Sequence, residues 1–385
     1  MDLYLELDRL RQGTFNSSLK KAKEEGDRVA GFHCAYVPEE LLHALSFVPC
    51  RLSAQNSQGT EQGASYFSTT NCGFVRNAFD KVLRGDYDFL DCMVFMNGCD
   101  NNRRLYDNWV HAGKGPTKKY FLPVPNTKGP TALLAYQQEL KLMLDWFERE
   151  FQARCPEDAL RKSIALYNQK RTLLQRIYAL RMDRDIKGSE HHRLLLAVSV
   201  VRVEKAIELL QLFLSETRIR PPRSEKSGVR LMLVSHCSED LALYENIESL
   251  GAQIVVEKNC LGAAQGDALV EESSTPLAAI AKRTLTHLAC SRMMDDFRAR
   301  LDYVMSAMKA YHAKALVIDC LKFCTLGQTE AFLLQKEAAK ANIPALLLER
   351  ELFSTDMGQT RTRLQAFLEE IRARSPSGCR TQANG

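Results

Sequence analysis

Short apolar runs alternate with stretches of helical spacing over about the first 130 residues. The first 20 residues predict an amphipathic helix, and residues 72–83 carry apolar side chains along one helix face. The apolar run 29–34 is followed by Pro38 and two glutamates, a typical helix start. The predicted strands of this half are residues 29–34, 48–52, 89–96 and 121–125. Strands that alternate with helices favour a parallel sheet of the doubly wound type.

The pattern changes at residue 131, where long helical spacing begins and continues with almost no turn signals to about residue 215. Pro221 and Pro222 then indicate a linker, and the alternation of strands and helices returns after it. The strands predicted there are residues 228–235, 251–257, 315–319 and 343–348, and the helices are 240–250, 294–313, 329–341 and 362–374. We therefore predict an α/β protein with two doubly wound parallel-sheet domains, residues 1–130 and 223–385. A helical region and linker, residues 131–222, joins them.

Charge and hydropathy exclude several function classes. The 52 basic and 47 acidic residues give a formal net charge of +5, and no basic stripe interleaved with aromatic residues indicates a nucleic-acid partner. No apolar run reaches the roughly 18–20 residues that a membrane span needs. The N-terminal segment carries acidic residues, unlike a secretory or transit signal. We expect a cytoplasmic protein that binds neither nucleic acid nor a membrane.

The twelve cysteines are the unusual part of the composition. In a reducing cytosol they would not form a disulfide framework, which leaves buried apolar residues, reactive thiols and metal ligands. Ligands of open parallel sheets bind beyond the carboxyl ends of the strands. Seven cysteines are predicted at that edge: Cys34, Cys72, Cys99, Cys237, Cys260, Cys320 and Cys324. The others are predicted within strands (Cys50, Cys92), on helical stretches (Cys155, Cys290) or in the tail (Cys379).

No compact ligand motif accompanies these cysteines. The sequence has no C-x-x-C pair, no P-loop and no G-x-G-x-x-G after a strand, so a metal site must be assembled from distant loops. A thiol nucleophile is the other interpretation of this edge, with Cys34 or Cys99 as the nucleophile. His33, His43 and His236 are candidate bases for it.

Several segments together resemble the family of benzoyl-CoA reductase and 2-hydroxyacyl-CoA dehydratase subunits, which includes the 2-hydroxyglutaryl-CoA dehydratase D-component. The first signature is Gly31-Phe-His-Cys-Ala-Tyr-Val-Pro-Glu-Glu-Leu41. Three more blocks follow in the same order at residues 72–77, 85–91 and 97–100, and the second half adds residues 246–252, 323–324, 343–346 and 358–367. The resemblance covers nearly the whole chain.

This resemblance implies one [4Fe–4S] cluster in the crevice between the two domains, held by three cysteines from different loops. Carried onto this sequence, the ligands are Cys72, Cys99 and Cys324. Cys34 could be a further ligand, a neighbour of the cluster or a wall of the pocket. Cys320 is the main competitor for Cys324. No catalytic side chain is assigned.

The resemblance also implies the reaction and the partners. One electron enters the thioester carbonyl of an acyl-CoA, and the resulting ketyl radical expels a 2-hydroxyl as water or proceeds to reduction of an aromatic ring. The partners are a homologous second subunit, forming a heterodimer, and a separate ATP-dependent activator that carries its own cluster. Ala35 stands where other members have Ser, which weakens the case that this subunit holds the substrate-activating cluster.

Two other functions stay open: an electron-relay or double-cluster protein of the same fold without acyl-CoA turnover, and a metal-free cytosolic thiol enzyme. The residues that contact CoA are also open. Arginines at predicted loop ends could bind its phosphates, contact the partner subunit or form surface ion pairs: Arg51, Arg76, Arg103, Arg104 and Arg363. Tyr66, Phe67 and Trp109 could line an acyl pocket, although core packing is the safer interpretation.

Overall fold

The protein folds around two four-stranded parallel sheets, as a computed structural model shows. The structure describes residues 2–57, 59–224, 228–236, 239–272, 275–288, 290–353 and 357–374. The strands are β1 (Arg28–Phe32), β2 (Phe47–Arg51), β3 (Cys92–Met96), β4 (Lys118–Leu122), β5 (Val229–Ser235), β6 (Ala252–Lys258), β7 (Ala315–Leu321) and β8 (Ala345–Arg350). The predicted α/β class with two parallel-sheet domains is confirmed.

The helices of the described residues lie between these strands, with consecutive helices before β1, between β4 and β5, and between β6 and β7. They are α1 (Leu3–Arg11), α2 (Ser17–Glu24), α3 (Glu39–Ala44), α4 (Gly73–Leu83), α5 (Asp100–Ala112), α6 (Pro130–Phe151), α7 (Glu157–Asp183), α8 (Gly188–Val198), α9 (Val203–Arg218), α10 (Leu241–Ser249), α11 (Ala263–Gly266), α12 (Pro276–Thr286), α13 (Phe297–Ala310), α14 (Thr325–Lys340) and α15 (Gly358–Arg374). In this part of the chain, no helix combines the length and the apolar character that a membrane span requires.

The two sheets have the same strand order. The first runs β2-β1-β3-β4 and the second runs β6-β5-β7-β8. In the first sheet the chain passes from β1 to β2 on one side and then to β3 on the other side of β1, and β5, β6 and β7 repeat this order in the second sheet. The loops after β1 and β3, and those after β5 and β7, therefore separate and open a crevice at the carboxyl edge, which is where ligands bind in such sheets. The fold thus provides two such crevices.

Each sheet is covered by helices on both faces, because its strands are apolar on both sides. The first sheet packs α3, α6 and α12 on one face and α2, α4 and α5 on the other. The second sheet packs α1, α8, α9, α10 and α15 on one face and α13 and α14 on the other. The long helix α7 contributes Leu160 to the core of the first sheet and Leu174 to that of the second.

Two helices pack on the sheet that is distant from them in sequence. α1 places Leu3 and Leu7 in the core of the second sheet, and α12 places Ile280 in the core of the first. Sequence periodicity shows that a helix has an apolar face but not which sheet that face covers. The predicted domain bounds therefore separate the strands of the two sheets but not the helices that cover them. The division of the chain into domains stays a prediction.

The structure differs from the predicted elements at several places, and α5 was not among the predicted helices. The predicted N-terminal helix is replaced by two helices, α1 and α2, because Asn16 accepts a hydrogen bond from the Leu19 N–H and starts α2. α12 was not predicted, although Pro276 occupies its first turn. Strand β7 continues two residues beyond its predicted end, so Cys320 lies inside the strand instead of after it.

Candidate functional site

A cavity of about 100 Å³ lies where the loops after β1, β3, β5, β6 and β7 meet. By the same measure one water molecule needs about 10–15 Å³, so several small groups fit. The cavity is therefore shared by the crevices of both sheets. Six cysteines line it: Cys34, Cys72, Cys99, Cys260, Cys290 and Cys324.

The three predicted ligands occupy the same structural position on three helices. Cys72, Cys99 and Cys324 are the N-cap residues of α4, α5 and α14. The first backbone N–H groups of each helix favour the thiolate of its cysteine. A helix N-terminus carries partial positive charge, so three such termini directed at one cavity favour anionic sulfur there.

Burial of the three cysteines opposes this stabilisation of their thiolates when the protein has nothing bound. It raises the pKa of Cys72 and of Cys99 to about 11, and it raises the pKa of Cys324 well above its ordinary value. The sulfurs also raise one another's pKa, Cys99 acting on Cys72 and both acting on Cys324, which shows that they are neighbours. Thiolates in such a group need a bound cation, because positive charge replaces the lost hydration.

Gly327 makes room for the sulfur of Cys324. A Cβ at this position would stand 2.8 Å from the Cys324 Sγ and 3.2 Å from the His236 Nδ1. Real Cβ atoms do not approach that closely, so any larger residue would displace the sulfur. The glycine in the first turn of α14 therefore belongs to the construction of the site.

Asn101 connects the loops of all three candidate ligands. Its Oδ1 accepts hydrogen bonds from the Cys72 N–H at 3.0 Å and from the Asn71 amide at 2.9 Å. Its Nδ2 donates to the carbonyl oxygen of Phe323, the residue before Cys324, at 3.3 Å. Asn101 itself follows Cys99 by two positions on α5. A single buried side chain thus sets the relative placement of Cys72, Cys99 and Cys324.

A second group of cysteines, Cys34, Cys260 and Cys290, lies beside the three proposed ligands. A hydrogen bond with Cys260 and burial raise the pKa of Cys290 well above its ordinary value. Burial raises the pKa of Cys99, and Cys290 and Cys34 raise it further, whereas the N–H groups of Asn101 and Asn102 lower it. The six sulfurs therefore form one continuous group.

Sequence reasoning missed Cys290 as a member of this group. It was predicted on a helical stretch, but it lies in the loop after α12, and its N–H donates to the Tyr36 hydroxyl at 3.4 Å. Because α12 packs on the first sheet, its loop reaches the cavity. Pro276 could have signalled the start of α12, but not the packing of this helix on the first sheet that brings Cys290 to the cavity.

Apolar side chains form much of the remaining cavity lining, and three cations and Asp319 lie among them. Arg51, Lys258 and Arg292 line it, and the Arg292 guanidinium lies 4.7 Å from the centre of the Tyr36 ring. The ammonium group of Lys258 donates to Glu330 at 3.2 Å. Positive charge from all three favours an anionic or strongly polarised occupant.

Three further polar groups on this lining lack partners within the described part of the chain. They are both ring nitrogens of His33, the Nε2 of His236 and the hydroxyl of Ser235. Burial, and then Arg51, lowers the pKa of His33 to about 3, and burial lowers that of His236 to about 4. Both imidazoles are neutral at physiological pH and can each donate and accept one hydrogen bond.

Other predicted candidates do not line the cavity. Cys320 lies inside β7, which corrects its predicted place on the loop with Cys324, although its sulfur also lies beside Gly327. His43 bonds to Ser163 at 3.0 Å, and Trp109 is buried beside Phe95. Tyr66 and Phe67 pack on Phe79. Cys237 and Cys379 lie outside the described residues.

The predicted arginines divide in the same way. Arg51 lines the cavity, whereas Arg76 pairs with Glu351 at 2.8 Å across the two halves of the protein. Arg103 and Arg104 form exposed ion pairs on their own helix, and Arg363 donates to the Leu347 carbonyl. Among the five, Arg51 is therefore the residue placed to contact a ligand in this cavity.

The thiols fit a cluster better than a single ion. In the described ranges, no three His, Cys, Asp or Glu side chains are grouped closely enough to hold one metal ion. Thiolates around an iron–sulfur cluster bind different irons and stand further apart than the ligands of one ion. Soft thiolate donors are also the ligands that iron–sulfur clusters take. The donor set and its helix N-termini are compatible with such a group.

Comparison with known proteins identifies relatives over nearly the whole chain. A family described as "2-hydroxyglutaryl-CoA dehydratase, D-component" matches residues 34–371. The (R)-phenyllactyl-CoA dehydratase beta subunit of Clostridium sporogenes is 21% identical over 92% of this chain and 94% of its own length. The lactoyl-CoA dehydratase beta subunit of Anaerotignum propionicum is 22% identical over 90% and 93%. One of the benzoyl-CoA reductase subunits of Thauera aromatica is 23% identical over 91% and 93%.

Proposed function

This chain belongs to the 2-hydroxyglutaryl-CoA dehydratase D-component family, and we propose that it is an iron–sulfur subunit of an acyl-CoA dehydratase or reductase. The substrate class is a 2-hydroxyacyl-CoA or benzoyl-CoA thioester. One observation carries the proposal: Cys72, Cys99 and Cys324, from both halves of the chain, cap three helices at one cavity.

In this proposal those three cysteines hold a [4Fe–4S] cluster. When bound, the cluster supplies the single low-potential electrons that ketyl chemistry on a thioester carbonyl requires. The N-termini of α4, α5 and α14 stabilise the negative charge of the thiolates. Asn101 holds the three loops in place, and burial of the cavity excludes water from a reactive radical.

The cationic lining contributes to the same reaction. Arg51, Lys258 and Arg292 place positive charge on the cavity lining. A thioester that accepts an electron becomes negatively charged on its carbonyl oxygen, and cations fixed in advance stabilise that charge without reorganisation. These residues therefore favour the reduced substrate over the neutral one.

The proposed partners are a homologous second subunit and a separate ATP-dependent activator with its own cluster. The relatives are themselves named as subunits of dehydratases and of a reductase, which supports a multi-subunit enzyme. The sequence has no P-loop, which is compatible with ATP hydrolysis by another polypeptide.

The second candidate function is a double-cluster or electron-relay protein of the same fold. The specific observation that favours it is the second group of cavity thiols: Cys34, Cys260 and Cys290. These three continue the group formed by the proposed ligands, so six thiolates could hold a larger cluster than three can.

Iron analysis of cysteine variants tests the ligand assignment. We expect Cys99→Ala to lose nearly all iron and acid-labile sulfide when the protein is purified anaerobically with its partner subunit. Cys155→Ala is the matched control, because this half-buried cysteine lies in the loop between α6 and α7, away from the cavity lining. Equal iron in the two variants would remove the ligand assignment. No iron in the wild-type protein would favour a thiol enzyme.

Cys290→Ala separates the two cluster hypotheses. With one cluster held by Cys72, Cys99 and Cys324, the variant keeps about four irons per chain, as a [4Fe–4S] cluster requires. With a larger cluster held by six thiolates, wild type carries more than four and the variant loses a large part of them. The measurement is iron and sulfide per chain.

A further inference from the structure

The two halves of the protein place a histidine at equivalent positions. β1 and β5 are the first strands of the two sheets and occupy the same place in the strand order. Each is followed by a His-Cys pair: His33 and Cys34 after β1, His236 and Cys237 after β5. Cys237 is outside the described residues, but both histidines line the shared cavity.

The two histidines differ in their surroundings. The Nδ1 of His236 lies beside Gly327 and the sulfur of Cys324, within reach of one of the proposed ligands. His33 instead neighbours the Phe95 ring at 5.9 Å, and it is only 2% exposed. Neither ring nitrogen of His33 has a hydrogen-bond partner among the described residues.

An unpartnered buried histidine is not by itself a binding site. His192 is buried as completely, and its ring nitrogens also lack partners in the described part of the chain. It stacks on Tyr244 with ring centres 4.0 Å apart and does not line the cavity. His33, in contrast, lines the cavity together with the proposed ligands, where an occupant can supply the missing partner.

We infer that His33 donates a hydrogen bond to the thioester carbonyl oxygen of a bound acyl-CoA. The inference rests on the proposed function, because it assigns the acyl end of the substrate to this cavity. The cavity is too small for the nucleotide part of CoA, so the acyl end is the part that can enter. A neutral N–H donor suits a carbonyl oxygen, and it also stabilises the charge that grows there.

The experiment compares acetyl-CoA with S-ethyl-CoA, a thioether of similar size that lacks the carbonyl oxygen. Binding of each to the complete anaerobic complex is measured by calorimetry. We expect wild type to prefer acetyl-CoA by about three- to tenfold, the effect of one hydrogen bond. His33→Phe and His33→Ala should bind S-ethyl-CoA like wild type and lose the preference. His33→Gln, which keeps a donor, should restore part of it.

Two controls make the test specific. His192→Phe should keep the preference, because this histidine is buried away from the cavity. Ser235→Ala removes another unpartnered hydrogen-bonding group of the lining and should also keep the preference. Loss of the preference in Ser235→Ala but not in His33→Phe and His33→Ala overturns the inference.

The outcomes also separate this inference from the proposed function. If both compounds bind but wild type shows no preference, or the His33 variants retain it, the inference is wrong and the proposed function stands. If neither compound binds to the complex, acyl-CoA is not the ligand, and both are overturned.

Discussion

Asn101 shows how one residue can assemble a site from distant segments. Its amide group accepts two hydrogen bonds on the side of Cys72 and donates one on the side of Cys324, so it links residues more than 200 positions apart. Only a side chain that both donates and accepts can do this, and Asn101 is 7% exposed, so its bonds are shielded from water.

We expect Asn101→Ala to destabilise the metal-free protein by about 1–3 kcal/mol, because it leaves the Cys72 N–H and the Phe323 carbonyl without their partner. The measurement is urea unfolding of the apo-protein, in which a cluster contributes nothing. Asn108→Ala is the control, since Asn108 is half-buried on the same helix and donates one hydrogen bond to the Tyr66 carbonyl oxygen. A similar loss of stability in both variants would contradict the assigned role.

At the scale of elements, buried charges hold the helical region against the second sheet. Glu257 in β6 accepts from Arg181 of α7 at 2.6 Å and from Tyr178 at 3.0 Å, and it lies 2.6 Å from His191 of α8. Arg181 also donates to the Ile254 carbonyl. These side chains join two helices to one strand, and such a network is stable only while each charge keeps its partners.

Glu257→Gln should lower the free energy of unfolding by about 3–5 kcal/mol, because it leaves the Arg181 charge buried and unpaired. Asp302→Asn, which breaks an exposed pair with Arg298, should change it by less than about 1 kcal/mol. Thermal and urea unfolding give both values. If the two substitutions cost the same, the network does not stabilise the fold as described.

Glu257→Gln and wild type should also differ in how their stability responds to acid. Burial alone would raise the pKa of Glu257, but Arg181 and His191 hold it well below its ordinary value. The stabilisation is therefore present above the unfolded pKa of about 4.3 and is lost as the pH falls towards the lower folded pKa. Glu257→Gln should lose less stability than wild type between about pH 5 and pH 3.

For the molecule as a whole, the strands were easier to predict than the contacts between them. β3 and β7 are apolar on both faces and short, so their sequence identifies them. The cysteines that follow strands could also be placed at one edge, because parallel strands share their carboxyl ends. The return of α12 to the first sheet, which brings Cys290 to the cavity, depends on packing between distant segments and has no local signal.

The two halves meet around the cavity through buried polar contacts. Glu239, in the loop after β5, accepts hydrogen bonds from the Ser53 hydroxyl at 2.8 Å and from the Ala54 N–H at 2.7 Å. Arg76 and Glu351 form another ion pair between the two halves. Because the proposed ligands come from both halves, any change that loosens this interface also separates the ligands.

Glu239 should make the stability of the contact between the two halves depend on pH. Burial raises the pKa of this carboxyl more than Arg51 and Lys81 lower it, so the folded protein holds the proton more tightly than the unfolded chain. Its stabilisation is fully present below the unfolded pKa of about 4.3 and is lost as the pH rises through the raised folded pKa. Glu239→Gln keeps an oxygen acceptor for Ser53 and Ala54 but cannot ionise.

The difference in melting temperature between Glu239→Gln and wild type should therefore grow as the pH rises from about 4 towards neutrality, measured on the metal-free protein. Glu245→Gln, at an exposed position, should follow the wild-type curve. If the melting temperatures of wild type and Glu239→Gln change with pH in parallel, ionisation of this carboxyl does not weaken the contact between the two halves.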